Sequence, residues 1–405
     1  MLNSITLLGS SSGRNAGDAA LMSAIMDCVD AACGERLLYE IPTIKPGFVR
    51  ENYANRTRAV GMLPWNLSVK MLGLPTYRSV MRTDLTLIFD AILFDRSLFN
   101  PLFNFLSTLY LLLPLARKRG KKMGFYDVGT GPVNTPLGRR MLRELSDLMD
   151  FITVRDQDSY DILMDIGVKN PRILLAADAA VNVQPSDDAR CAQILERHGL
   201  KPGEPFLAAN INVYLDTWAG PGRKPMTREQ FVNAYVAAMD RVMGQLDVPV
   251  VFVTTQHADV GLNREVIARL RRPERTRMIT NVEYSHYDIK GVLGKAELLC
   301  GMRLHSMILA SSALTPIAGL AYQPKVDHYF RTLGLEKHSM SFDAFSADSL
   351  ERHILEGWAA RAAIRKRLEQ RIPQLQRDAR RAADLVASLR RGEDIDVAFR
   401  RIRDS

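Results

Sequence analysis

Residues 300–306 read CGMRLHS. An arginine and a histidine two positions apart join a fixed, forked cation to a group that can give or take a proton near neutral pH. That pairing suits proton transfer to an anionic substrate. The chain has seven histidines, and His305 follows directly on the apolar run AELLC. A lone histidine is more often a satisfied core residue than a catalyst. A buried arginine beside it still needs an anion, and the segment itself supplies none. An external acidic ligand is the partner expected for Arg303. The next loop, AYQPKVDHYF (321–330), adds Lys325, with Tyr322 close by in sequence.

A second constellation lies near the start, in GSSSGRNAGDAAL (9–21). Gly9, Gly13 and Gly17 allow tight turns, and a helix beginning near Asp18 offers free N–H groups to an anion. The spacing is not GxGxxG, and the lysine of a phosphate-binding loop is absent. An Asp N-cap on a glycine turn accounts for Asp18 alone; it leaves the crowding of Arg14, Asn15 and Asp18 into five residues unexplained. Elsewhere, VGTGPVN (128–134) reads as a turn, and VRDQDS (154–159) offers Arg155 as an ion-pair partner of Asp156 or as an anion-binding arginine. NINVY sets Asn210, Asn212 and Tyr214 on one face of a strand end, and TTQHAD places Gln256, His257 and Asp259 past another.

These loops must be held by strands. Apolar runs at ITLLG (5–9), LLYEI (37–41), LTLIFDAILF (85–94), KMGFYDVG (122–129), FITVR (151–155) and RILLAADAAV (172–181) alternate with helical-length segments. After QPSDDA (184–189) a second series follows: FLAANINV (206–213), VPVVFVTT (248–255), RMITN (277–281), AELLCGM (296–302) and PIAGLAY (316–322). Continuous apolar strands separated by helices imply parallel sheets covered on both faces. The expected fold is α/β, with two Rossmann-like, doubly wound domains at 1–183 and 184–345. Residues 346–405 keep a mostly helical spacing of apolar positions between arginines. They read as one or two amphipathic helices on the outside, interrupted near Pro373.

Composition narrows the function classes. Four cysteines without CxxC spacing argue against a zinc site or a disulfide framework and suit a reducing compartment. No metal site is expected. The start MLNSITLLGS lacks a basic n-region, which argues against a signal peptide, and residues 98–116 are broken by Pro101 and Pro114, short of a clean span. A cytoplasmic protein is expected. The net charge of +9 is uneven: from Lys45 to Arg82 seven Lys or Arg face one acid, Glu51, and RKRGKK (117–122) forms a second knot. Such charge suits an anionic small molecule or an anionic membrane surface. No helix-turn-helix, RNA-binding or zinc signature accompanies it, so nucleic acid is not an expected partner.

Taken in order, GRNAGDAAL, VGTGP, VRDQDSYDIL and CGMRLHSMILASSALTPIAGLAYQPKVDHYFRTLGL (300–335) resemble the polysaccharide pyruvyl transferase family. The resemblance implies two Rossmann-like domains facing a cleft, as in GT-B glycosyltransferases. It further implies transfer of the pyruvyl group of phosphoenolpyruvate, a co-substrate rather than a cofactor, onto two hydroxyls of a sugar. The product is a cyclic ketal, and phosphate is released. In that reaction Arg303, Lys325, Arg155 and Ser306 would hold the donor, and His305 would protonate its methylene carbon. Asp18, held by Asn15, would act as base toward the acceptor. Arg14, Asn212, Gln256, His257 and Tyr322 would line the cleft or acceptor side. The first domain would take the acceptor, a sugar or lipid-linked oligosaccharide, with attachment at the inner leaflet. FDAILFD (89–95) stands where many members carry a glycine-rich run, and NINVY lacks an arginine that some members carry nearby. Two alternatives remain open: a GT-B glycosyltransferase using a nucleotide sugar, and a non-catalytic carbohydrate-binding protein of polymer assembly.

Overall fold

The computed structural model of the chain describes residues 2–53, 56–62, 73–98, 104–201, 203–213 and 226–404. Tyr214, Trp65 and Lys70 lie outside the described residues. The chain divides into two units. The first comprises the residues up to Gly13, Leu21–Val183 and those from Leu375 on; the second comprises Arg14–Ala20 and Gln184–Gln374.

In the first unit, β1 (Ser4–Leu8), β2 (Leu38–Thr43), β3 (Thr57–Gly61), β4 (Leu85–Ile88), β5 (Lys122–Val128), β6 (Phe151–Val154) and β7 (Ile173–Leu175) form one parallel sheet in the order β3-β2-β1-β4-β5-β6-β7. In the second, β8 (Leu207–Asn210), β9 (Val250–Thr254), β10 (Thr276–Thr280), β11 (Leu298–Gly301), β12 (Ile317–Ala321) and β13 (Ser339–Ser341) run parallel in the order β10-β9-β8-β11-β12-β13. Every residue of β4, β6, β8, β9, β11 and β12 is buried. Helices on both faces explain why these strands read as unbroken apolar runs. Each sheet is doubly wound: its order reverses between β1 and β4 and between β8 and β11, the switch points where such sheets open a ligand crevice.

Three expectations change in detail. Edge strands β3 and β13 were not visible as apolar runs, because β3 is half-exposed or exposed throughout and β13 is a polar three-residue strand. β4 stops at Ile88 instead of running to Phe94. Phe89 there meets the Gly9 backbone, where an added Cβ would lie 2.6 Å from its ring, and Asp90 turns the chain with φ 72°. The C-terminal helix Arg361–Asp378 runs through Pro373, and the break falls between Asp378 and Arg381. The apolar stripe of this region is buried, with Leu350, Ile354, Leu368, Ile372, Leu375, Ala382 and Val386 at most 5% exposed. Arg365, Arg367 and Arg377 of the helix Arg361–Asp378 face solvent, as an amphipathic outer helix should, while the helix Arg381–Arg390 is buried along most of its length.

Candidate active site

The corner Met302–His305 leaves β11 and enters the helix Leu304–Ser312. Arg303 is its N-cap residue, with extended backbone at φ −76°, ψ 130°. Asn210, fully buried at the end of β8, holds the corner in place. Its Oδ1 accepts from the Arg303 amide (3.1 Å) and lies 3.0 Å from Ser306 Oγ, while its Nδ2 donates to the carbonyl of Val253 (2.8 Å). One side chain thereby ties the ends of β8, β9 and β11 at the switch point. Cys300 sits in the adjoining strand; burial pushes its thiol up to about 12, so it packs and does not react.

Arg303 does not wait for an outside anion, which corrects the expectation drawn from the segment alone. Asp259, completely buried just past β9, accepts from Arg303 Nη2 at 2.8 Å and from Nε, and also from the Val213 amide at 3.1 Å. The pair is bidentate, the strong geometry for arginine and carboxylate, and it fixes the guanidinium plane. Sequence reasoning recorded Asp259 but did not assign it, because the partners are 44 positions apart and meet only once β8, β9 and β11 are placed side by side.

Residues 14–20 pack over the carboxyl ends of the second sheet. The Ala16 amide donates to the Thr255 carbonyl (2.8 Å), Asn15 forms an antiparallel bridge with Gln256, and the Arg14 carbonyl accepts from the His257 amide and from Asn281 Nδ2 (both 3.0 Å). The helix begins at Ala16, and its cap is Asn15: Oδ1 accepts from the Gly17 amide (2.9 Å) and Nδ2 donates to Asp18 Oδ1 (2.7 Å). The cap role expected of Asp18 therefore falls to Asn15, and Asp18 stands in the first turn beside it.

Gly17 lies against the His305 ring. A Cβ there would be 2.1 Å from Cγ and 2.2 Å from Nδ1. Only a glycine leaves the ring that position, a requirement invisible without the fold. Gly17→Ala is expected to move His305 or the helix start, lowering melting stability by about 1–3 kcal/mol through overpacking. Turnover should fall far more than stability explains; unchanged turnover in a purified Gly17→Ala protein would dissociate the ring position from activity.

The remaining sequence candidates divide cleanly. Ser306 and Asn212 are fully buried, Tyr322 is 7% exposed, and Lys325 and Gln256 are half-buried, all in the second unit at carboxyl ends of its strands. Gln256 Oε1 accepts from the His257 amide, and the exposed His257 lies 3.3 Å from the Asn281 carbonyl. Arg14 is exposed beside them. Arg155 is in the first unit, 5% exposed, bound to Asp178 (3.2 Å) and Asp156 (3.3 Å). Its guanidinium fills the space a side chain at Gly129 would take, 2.8 Å from an added Cβ, which accounts for one glycine of VGTGP. The run FDAILFD, also in the first unit, anchors that loop: Asp95 Oδ2 accepts from the Asn134 and Thr135 amides at 2.7 and 2.5 Å.

No curated protein matches the chain. Among solved structures, a Staphylococcus aureus MnaA–UDP complex matches with a TM-score of 0.67 at 11% identity, over 96% of this chain and 97% of that one. A putative UDP-N-acetylglucosamine 2-epimerase from Listeria monocytogenes matches with 0.67 at 12%, over 98% of both. Anabaena HepE in complex with UDP matches with 0.53 at 11%, over 100% and 99%. At such identities the likeness shows the GT-B fold and nothing of substrate. The sequence pattern of one enzyme family spans residues 15–324, from the Asn15 cap through β11 and its corner to Pro324. The chain belongs to the polysaccharide pyruvyl transferase family.

Proposed function

We propose that the protein transfers the pyruvyl group of phosphoenolpyruvate onto two hydroxyls of a sugar in a surface-polysaccharide precursor, forming a cyclic ketal and releasing phosphate. The observation that carries the reading is the seating of Gly17, between Asn15 and Asp18, against the His305 ring within one unit. It sets the turn that bears the Asp18 carboxylate against a histidine two positions from Arg303 at the start of a helix.

The donor brings a carboxylate and a phosphate. Asp259 balances the charge of Arg303, and Lys325 and Arg14 bring further cationic side chains to the carboxyl ends of the same sheet. The helix N-terminus at Leu304 adds its partial charge. Arg303 contributes oriented N–H donors. His305 delivers a proton to the methylene carbon, which becomes a methyl group and leaves the neighbouring carbon electron-poor. A sugar hydroxyl attacks that carbon and passes its proton to Asp18. The bond to the phosphate oxygen breaks, the phosphate leaves with the proton held by Asp18, and the second hydroxyl closes the ketal as its proton returns to His305. The acceptor is lipid-linked, and the work is done at the inner leaflet of the cytoplasmic membrane; no helix among the described residues is long and apolar enough to cross it.

The test is phosphate release from phosphoenolpyruvate with candidate oligosaccharide acceptors. Asp18→Asn keeps an acceptor for Asn15 Nδ2 but removes the base; turnover should fall by about 10²–10⁴-fold with phosphoenolpyruvate affinity unchanged. Full activity in that variant would remove Asp18 from the mechanism. MnaA and HepE are seen in complex with UDP, so tight UDP binding without phosphoenolpyruvate turnover would favour nucleotide-sugar transfer instead.

A further inference from the structure

Of the basic residues in 45–82, three are paired with acids inside the first unit. Arg56 binds Asp27 and Asp30 at 2.7 and 3.2 Å, while Arg58 and Arg82 share Glu40 at 3.6 and 2.8 Å. The helix Phe105–Arg117 shows a different surface. Its Leu106, Leu109, Leu113 and Ala116 are buried in the core of the unit. On the other side, one turn apart, Leu111 is 56% and Leu115 51% exposed, with half-buried Pro114 between them. A helix facing only water gains nothing from two exposed leucines at this spacing. The stripe continues into exposed Lys118 and Arg119, with Lys122 just beyond. Arg119 contacts Tyr77 of the neighbouring helix Leu74–Arg82, which also exposes Leu74 and Arg78. The nearby acids are occupied: Asp150 by Arg117, and Glu144 by Arg140 and Tyr110. Among the described residues no acid pairs with Arg78, Lys118, Arg119 or Lys122.

We propose that this face, with Leu111 and Leu115 flanked by Arg78, Lys118, Arg119 and Lys122, docks the protein on an anionic lipid bilayer. Apolar side chains enter the headgroup boundary while the cations meet lipid phosphates, and neither set alone anchors firmly. The proposal rests on the reading above only for why an enzyme would need a bilayer, and its deciding measurement, vesicle flotation, uses neither donor nor acceptor.

The whole chain is floated with vesicles of phosphatidylcholine containing about one-third phosphatidylglycerol. Wild-type protein is expected to float at low salt and to lose at least about tenfold in partitioning at high salt. Leu111→Asp with Leu115→Asp, and separately Lys118→Glu with Lys122→Glu, should each cut low-salt partitioning by about tenfold. Both should keep a wild-type melting curve and phosphate release on a water-soluble acceptor. Reversing Arg365 and Lys366, exposed cations of the second unit, should change partitioning less than twofold. Equal losses from that control, indifference to the leucine changes, or no binding to anionic vesicles would each overturn the proposal. So would a shift of the leucine variant from dimer to monomer in sedimentation, which would assign the face to a second copy of the chain. Loss of phosphate release with intact vesicle binding would strike the catalytic reading alone.

Discussion

His305→Gln is expected to lower phosphoenolpyruvate-dependent phosphate release by about 10²–10⁴-fold, the usual contribution of a positioned acid. Phosphoenolpyruvate affinity by calorimetry should change by less than about threefold. Glutamine is polar, of similar reach, and compatible with the Gly17 backbone that the ring now covers, so the variant should fold. In the proposed reading the carboxylate and phosphate contacts come from other groups, so binding should survive. Near-normal turnover would leave His305 as packing against Gly17.

Breaking the Arg303–Asp259 pair should produce the largest change in stability. Asp259 is completely buried and Arg303 nearly so, at 0% and 11% side-chain exposure. Removing one partner of such a pair leaves an uncompensated buried charge and costs about 3–5 kcal/mol. Asp259→Asn is therefore expected to shift the denaturation midpoint strongly downward. Replacing both, Arg303→Met with Asp259→Leu, should recover much of that loss, since apolar residues of similar volume often substitute a buried pair at little cost. Activity should not return with stability, because the oriented guanidinium is gone. A double variant that is stable and active would make Arg303 a structural residue. Arg303→Lys, which keeps the charge and loses the fork, should separate orientation from charge by a fall in donor affinity.

The alternation of buried strands and helices was legible because strands covered on both faces are apolar without interruption, as β4, β9 and β12 are. Among the edge strands, β7 and β10 still read as apolar runs, but β3 and β13 did not, since β3 is half-exposed or exposed throughout and β13 is short and polar. The corner at Arg303 and His305 stood out by residue type. Its supports did not: Asn210 and Asp259 act through strand order, and strand order is not written in local pattern. Gly17 was visible as a glycine, but its reason is a ring nearly three hundred positions away. Arg155 could be read as an ion pair or an anion site, and the sequence could not weigh Asp178, which arrives from the far end of β7.

Residues 14–20 belong with the second unit although they are translated before nearly all of the first. A ribosome releases this segment long before Thr255, His257 and Asn281 exist, so the Arg14 carbonyl and the Ala16 amide must be served by water until then. The second half, cut away as 184–374, would in turn present the Thr255 carbonyl, Gln256 and the His305 ring without the strip that covers them. Gene fragments divided at residue 183 would thus yield one part whose helix Ala16–Cys33 begins with an uncovered first turn and another with an open seam. Only reassembly from both halves, or a peptide supplied in trans, could close it.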